Sequence, residues 1–176
     1  GEHTVSVDEQ PHKANLEKIP QLRPAFAEGG TITPANSSSI SDGASALLLA
    51  SEDAAANHGL KPRARTVAHA RNSLAPQDFT LAPVGAAEQV LAKAGWSASD
   101  VDLWEINEAF AMVTMLTTRA LDLDPTCVNV HGGACAQGHP IGSTGSRIIV
   151  TLMHALEHYG KQRGVAALCI GGGEAT

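Results

Sequence analysis

The sequence is poor in aromatic residues and has no long apolar or basic stretch. Only 3% of its 176 residues are Phe, Trp or Tyr, no run of Lys and Arg exceeds two residues, and the net charge is −6. This composition argues against a nucleic-acid partner, which needs clustered positive charge. The longest apolar run is far short of the ~20 residues of a membrane-spanning helix, so we expect no membrane anchor. We also expect no signal peptide in this sequence.

Cysteine is scarce as well. The three cysteines are an odd number without disulfide-like spacing, which favours a reducing compartment, either the cytoplasm or an organelle matrix. The spacing of Cys and His matches no recognised zinc pattern, so we predict no metal site. Hydrophobic residues make up 43% of the chain, enough for a buried core in one domain or slightly more.

The pattern along the chain changes near residue 42. Residues 1–38 are polar and contain four prolines, which predicts loops around one short helix and one short strand. Strands are predicted at 46–50, 64–70, 101–104, 127–130 and 165–170. Helices are predicted after the N-cap Ser51, from Pro83 to Gly95, from about Asn107, and from about 148 to Gly160. Alternating strands and helices indicate an α/β layered sheet.

Three polar residues lie in small-residue surroundings at loops that adjoin predicted strands. Asn107 opens the motif Asn-Glu-Ala-Phe, His139 lies inside a glycine-rich loop, and Cys169 precedes three consecutive glycines. They are 32 and 30 residues apart, so only a folded core could bring them together. Amide, imidazole and thiol are groups that carbon-acid or acyl chemistry uses. The pattern therefore predicts one cleft formed from three distant loops.

Each of the three has an alternative interpretation. Asn107 could be the N-cap of the following helix. His139 could be satisfied in a turn, or its glycine-rich loop could cradle a phosphate, although the loop lacks the Lys of a P-loop. Cys169 could be a buried thiol, although the amides of the glycines that follow could form an oxyanion nest. Cys135 is interpreted as a packing residue, and Cys127 as the first residue of a strand.

In order and spacing, these motifs resemble the C-terminal half of a thiolase of the acetyl-CoA acetyltransferase type. They are Asn-Glu-Ala-Phe at 107–110, Asn-Val-His-Gly-Gly-Ala at 129–134, Gly-His-Pro-Ile-Gly at 138–142 and Cys-Ile-Gly-Gly-Gly at 169–173. Residues 22–44 also resemble the segment where the family's CoA-binding loop domain rejoins the core. Two departures are Asn-Ser-Ser-Ser at 36–39 for Asn-Ala-Ser-Gly, and Ile-Ser-Asp-Gly at 40–43 for Leu-Asn-Asp-Gly.

The resemblance implies a thiolase-like layered α/β/α sheet, the C-terminal half of the five-layer fold, truncated at both ends. Residues 1–38 would end the CoA-binding loop domain, 39–60 would be the last elements of the N-terminal core domain, and 61–176 would form the C-terminal core domain. The intact enzyme would reversibly condense two acetyl-CoA to acetoacetyl-CoA and CoA, with CoA thioesters as substrates and no other cofactor. It would be a homo-oligomer, either a dimer or a tetramer. The alternatives are a degradative 3-ketoacyl-CoA thiolase and a non-catalytic half-protein that binds acyl-CoA.

The resemblance also implies roles for the polar residues. Cys169 would be the acid/base that removes a methyl proton from acetyl-CoA. His139 would lower the pKa of the nucleophile and share an oxyanion hole with a water held by Asn107. The amide of Gly171 would complete a second oxyanion hole, and Ser38 would contact the pantetheine chain.

Two further implications concern residues at the margins of the match. His12 or Lys13 lies near the position of a basic CoA contact. The family's nucleophilic cysteine belongs to the N-terminal half, and neither Cys127 nor Cys135 matches its motif. We therefore expect this chain alone to form no acyl-enzyme.

Overall fold

The structure is a computed structural model that describes residues 4–8, 10, 12 and 14–176. From residue 14 onward, the α-helices are α1 (Glu52–Asn57), α2 (Ala82–Ala94), α3 (Ala111–Ala120), α4 (Ala134–Gln137) and α5 (Thr144–His158). The strands are β1 (Asn72–Ser73), β2 (Leu103–Ile106), β3 (Gly164–Ala167) and β4 (Glu174–Ala175). Short 3-10 turns occupy Leu16–Gln21, Pro34–Asn36, Pro76–Leu81, Ala98–Asp100 and Pro125–Cys127. In the part of the chain that is described, no helix is both long and apolar enough to cross a membrane.

The strands form two two-stranded sheets, which are joined through the residues that follow β3. β2 and β3 are parallel, with Ile106 opposite Ala167. Beyond β3, Leu168 exchanges two backbone hydrogen bonds with Thr176, and Cys169 bridges Ala175. A glycine turn at 171–173 thus folds the chain back into β4, which pairs antiparallel with β1. Because β2 and β3 are parallel, their carboxyl ends leave the sheet at the same edge.

Helices cover both faces of the joined sheets. On one face, apolar residues of α2 and α3 pack with Trp104 and Ile106 of β2. On the other face, Leu152 and Ala155 of α5 pack against Leu103. Successive strand residues point to opposite faces, so β2 is buried on both sides. The predicted α/β/α layering is confirmed.

Helix ends follow their predicted signals. The Ser51 hydroxyl accepts a hydrogen bond from the Ala54 amide and caps α1. Pro83 lies in the first turn of α2, where its missing N–H costs nothing. Gly95 and Gly160 have φ values of 68° and 63°, the left-handed conformation that ends helices α2 and α5.

Two predicted strands do not form. Residues 46–50 pair with no other segment among the described residues, and Leu48 and Leu49 are 83% and 80% exposed. A strand needs a neighbour for its backbone groups, and an apolar run of strand length does not supply one. Residues 64–70 are likewise unpaired, and the strand forms at β1 instead, where β4 lies alongside.

Other predicted strands and helices form, but with different boundaries. The strand predicted at 101–104 is β2 at 103–106, and the helix predicted from about Asn107 begins at Ala111. The strand predicted at 127–130 is reduced to one bridge between Val128 and Trp104. The Asn129 amide still donates to the Trp104 carbonyl at 2.8 Å, but its left-handed φ of 48° turns the chain away from β2 beyond this point. The regular part of the strand predicted at 165–170 ends at Ala167. Among the described residues up to 38, Gln10 and His12 are helical and 3-10 turns occupy Leu16–Gln21 and Pro34–Asn36, but the predicted strand is reduced to a single bridge between Ser37 and Phe110. Lys13 lies outside the described residues.

Candidate active site

Asn107 leaves the carboxyl end of β2 and is buried, with 1% of its surface exposed. Its backbone amide donates to the Ala167 carbonyl at 2.9 Å. The side chain of Asn129 fixes the residue before it, since its Oδ1 accepts from the Ile106 amide at 2.8 Å and its Nδ2 donates to the Ile106 carbonyl at 2.9 Å. The N-cap of α3 is Phe110, so the capping alternative for Asn107 is wrong.

The side chain of Asn107 meets His139. The Asn107 Nδ2 lies 3.4 Å from the His139 Nε2. The Asn107 Oδ1 is buried without a hydrogen-bond partner among the described residues. An orphan buried carbonyl oxygen is costly, so it marks a position suited to a water or a polar substrate group.

His139 is also held by its backbone amide and by its other ring nitrogen. Its amide donates to the Ser39 carbonyl at 2.9 Å, and its Nδ1 lies 2.7 Å from the hydroxyl of Thr144. Burial lowers the pKa of His139, and the positive charge of Arg147 lowers it further. The neutral imidazole is therefore favoured, as a proton acceptor at neutral pH requires.

Glu108 holds the glycine-rich loop against β2. Its Oε2 accepts from the Cys135 amide at 3.0 Å and its Oε1 accepts from the Asn129 side chain at 3.1 Å. A Cβ on Gly133 would overlap the Glu108 carboxylate, so this approach requires glycine. Gly138 has a φ of 91°, and a Cβ there would overlap Ser41. The loop that carries His139 is therefore fixed by close backbone approaches.

Cys169 follows β3 at the same sheet edge as Asn107. Ile106 and Ala167 are register partners, so Asn107 is one residue beyond the pair and Cys169 is two beyond it. The side chain of Cys169 is 6% exposed and belongs to the apolar cluster with Ile106 and Val113. This burial raises the pKa of the thiol. A thiolate formed here would therefore be a stronger base than in water.

Comparison with known proteins decides the family. The thiolase C-terminal domain matches residues 60–176, and the thiolase N-terminal domain matches residues 1–53. The chain belongs to the thiolase family. It is 51% identical over 172 residues to a probable acetyl-CoA acetyltransferase of Dictyostelium discoideum, covering 98% of this chain and 42% of that protein. It is 50% identical to the cytosolic acetyl-CoA acetyltransferase of Mus musculus, covering 96% and 43%.

Solved thiolase structures support the same family assignment. The Bacillus anthracis acetyl-CoA acetyltransferase superposes with a TM-score of 0.90 at 43% identity, over 96% of this chain and 43% of that one. A human mitochondrial 3-ketoacyl-CoA thiolase in complex with CoA gives 0.85 at 40% identity, over 93% and 41%. The chain thus spans less than half the length of the relatives it matches, and the predicted thiolase-like fold is confirmed.

The structure brings some of the predicted thiolase site residues together. Asn107 and His139 are in contact, and Cys169 lies at the adjacent strand end, with its side chain turned into the apolar cluster. Gly171 is exposed in the turn beyond Cys169. The Ser38 amide and hydroxyl both donate to the Ala109 carbonyl, at 3.2 and 3.0 Å, which sets Ser38 beside the loop that follows Asn107. The roles assigned to these residues stay predictions.

Sequence reasoning missed three residues that support the site. Glu108 and Asn129 position the loops, and Glu105 is a carboxylate inside β2 with 2% of its surface exposed. Glu105 Oε2 lies 3.7 Å from Arg147 Nη1, its Oε1 has no partner among the described residues, and burial raises its pKa to about 7. A charged residue inside a short apolar strand was the available signal.

Proposed function

We propose that this chain provides the enolate-forming part of an acetyl-CoA C-acetyltransferase. The intact enzyme joins two acetyl-CoA into acetoacetyl-CoA and releases CoA, and it also catalyses the reverse reaction. The observation that carries the proposal is the contact between Asn107 and His139, with a buried unpartnered oxygen, at the strand end next to Cys169.

In this proposal, the Cys169 thiolate removes a proton from the methyl carbon of a bound acetyl-CoA. The S–H bond forms as the C–H bond breaks, and the electron pair moves to the thioester oxygen. That oxygen is stabilised by the protonated Nε2 of His139 and by a water held at Asn107. The enolate carbon then attacks an acyl-enzyme whose nucleophile this chain does not supply. The amide of Gly171 stabilises the oxyanion formed in that step.

The raised pKa of Cys169 fits both directions of this chemistry. The neutral thiol is the resting form and can reprotonate the enolate during cleavage. Condensation needs the thiolate, so we expect its rate to increase with pH as Cys169 ionises.

Acetyl-CoA is favoured over longer acyl chains by the names of the most similar relatives. Those at 51% and 50% identity are acetyl-CoA acetyltransferases, whereas the human 3-ketoacyl-CoA thiolase is 40% identical. We also propose a homo-oligomeric enzyme in the cytoplasm. The cytosolic mouse relative supports that compartment, and a mitochondrial relative from Bos taurus leaves an organelle matrix as the alternative.

A chimera tests the proposal. Residues 1–176 replace the matching segment of the Dictyostelium protein, and both acetoacetyl-CoA cleavage and acetyl-CoA condensation are measured. We expect activity in both directions from the chimera and none from the isolated chain. Cys169→Ala should stop condensation but still allow labelling of the nucleophile by radioactive acetyl-CoA, because acylation abstracts no methyl proton. Cys127→Ala, a half-buried cysteine outside the proposed site, is the matched control.

The size of the loss in kcat distinguishes the roles of His139 and Cys169 further. Removal of one oxyanion-hole donor costs about 10²–10³ in kcat, so His139→Ala should reduce condensation by at least this factor. Loss of acyl-enzyme labelling in Cys169→Ala would contradict the division of roles. A folded chimera that binds acetyl-CoA without turnover would favour the non-catalytic half-protein.

A further inference from the structure

Thr144 is the first residue of α5, and its side chain is fully buried beside His139. Its hydroxyl oxygen lies 2.7 Å from the His139 Nδ1 and 2.9 Å from the Pro140 carbonyl oxygen. We propose that Thr144 is a positioning residue that holds His139 in the Nδ1–H tautomer and thereby leaves Nε2 as the proton acceptor of the site. The catalytic consequence rests on the function proposed above, whereas the tautomer itself does not.

The hydroxyl of Thr144 has one proton and two neighbouring acceptors, the Pro140 carbonyl and the His139 Nδ1. We assign this proton to Pro140, whose carbonyl oxygen also accepts from the amides of Ser143 and Thr144 at 2.8 and 2.9 Å. This back-bond to the carbonyl four residues earlier is a common arrangement for Thr in a helix. The Thr144 oxygen can then only accept from His139, so the imidazole proton is on Nδ1.

The contact on the opposite side of the imidazole ring favours the same tautomer. His139 Nε2 faces the Nδ2 of Asn107, which only donates. The other tautomer would set an N–H of His139 against an N–H of Asn107. The Nδ1–H form is the one in which the whole chain from Asn107 to Pro140 has donors facing acceptors. The lowered pKa of His139 keeps the ring neutral, so that this choice of tautomer matters.

The tautomer decides which nitrogen can act. With Nε2 unprotonated, the ring can take the proton of a nucleophile thiol, so that the S–H bond breaks and an Nε2–H bond forms. The resulting imidazolium then donates from Nε2 to the thioester oxygen. In the other tautomer Nε2 already carries a proton and cannot accept one. Loss of tautomer control at a catalytic histidine lowered kcat by about 10⁴ in a serine protease.

NMR of the 176-residue chain tests the tautomer directly. Histidine is labelled with ¹⁵N, the His139 signals are assigned with His139→Gln, and long-range ¹H–¹⁵N spectra are recorded above the pKa of His139. We expect Nδ1 protonated and Nε2 bare in the unmodified chain and in Thr144→Ser. In Thr144→Val we expect a mixture or the Nε2–H form. Thr117→Val is the control, because Thr117 is also fully buried and bonds the Val113 carbonyl four residues back, at 2.9 Å.

An Nε2–H form in the unmodified chain overturns the proposal even if Thr144→Val does not fold. An unchanged tautomer in a folded Thr144→Val overturns it as well. These readouts need no activity, so they stay valid if the proposed function fails. In the active chimera, Thr144→Val should reduce kcat by about 10²-fold at little cost in KM, with recovery in Thr144→Ser. An unchanged kcat would overturn the link to catalysis.

Discussion

Residues 4–50 and residues 51–176 are held in place by different interactions. The described part of the first region contains no buried residue, and the whole apolar core lies in the second. The first region is attached through polar contacts, such as Ser38 to the Ala109 carbonyl and the His139 amide to the Ser39 carbonyl, and through the edge-to-face contact of the exposed Phe26 ring with Phe110 at 5.7 Å. Hydrophobic burial therefore builds the sheet and helices, while net contributions of about 0.5–1.5 kcal/mol per hydrogen bond attach the segment beside the site.

The largest expected effect tests this contrast with two aliphatic truncations. Ile148 in α5 is 1% exposed and Leu48 is 83% exposed. Ile148→Ala should lower the free energy of unfolding by about 2–5 kcal/mol, because it leaves a cavity in the core. Leu48→Ala should change it by less than about 0.5 kcal/mol. Urea unfolding followed by circular dichroism gives both values, and equal losses would show that the first region is packed after all.

The next effect depends on pH and concerns Glu105. Its pKa is raised from 4.5 to about 7 by burial, so between these values the folded chain keeps a proton that the unfolded chain has lost. Stability should therefore fall as pH rises through this window, by up to about 3 kcal/mol from this group. Unfolding free energies at pH 5 and pH 8 should show this decline in the unmodified chain, and it should be smaller in Glu105→Gln.

A control of opposite sign is available at the surface. The pKa of Glu157 is lowered by its hydrogen bond with Arg63 and by the charge of Arg63. The ionised Glu157 therefore contributes to the free energy of unfolding at higher pH, and this contribution is lost as pH falls. Glu157→Gln should therefore leave the decline between pH 5 and pH 8 in place. A Glu105→Gln variant with the same pH dependence as the unmodified chain would contradict the buried-carboxylate explanation.

The parts of the fold that sequence predicted are those specified by local chemistry. Ser51 marks the start of α1 through its own hydroxyl, and Pro83, Gly95 and Gly160 mark helix ends through their own backbone. The strand ends that carry Asn107 and Cys169 were also predictable, because a buried run precedes each. The run at 46–50 has the same apolar pattern but no partner strand among the described residues. Whether a strand finds a partner depends on the arrangement of the whole sheet, which a local pattern does not contain.

The central residues of the site were predictable from the sequence, but the residues that hold them in position were not. The motifs identified Asn107, His139 and Cys169, and the first two are in contact. The side chain of Asn129 imitates a backbone ladder partner for Ile106, and Glu108 joins it to the amide of Cys135. Such contacts join residues more than 20 positions apart and depend on side-chain orientation, which periodicity does not encode.

A smaller effect is expected from two glycine substitutions in the second region. In Gly133→Ala the new Cβ would meet the Glu108 carboxylate, so either the loop or Glu108 must shift. We expect a loss of about 1–3 kcal/mol in stability. A Cβ added to Gly145 in α5 would project into open space, so Gly145→Ala should gain about 0.5–1 kcal/mol from helix propensity. Thermal and urea unfolding of the pair would check the opposite signs.

The smallest effect concerns the attachment of the first region. Ser38→Ala removes the 3.0 Å hydrogen bond from the hydroxyl to the Ala109 carbonyl but leaves the 3.2 Å bond from the Ser38 amide to the same oxygen. If the segment opens on its own, a loss of about 0.5–1.5 kcal/mol should accelerate hydrogen exchange of the Ser38 and His139 amides by about 2- to 10-fold. Exchange in α2 and α5 should not change, because those helices are held by the core. Faster exchange in these helices too would mean that the segment and the core open as one unit, and the contrast between the two regions would then be one of exposure rather than of stability.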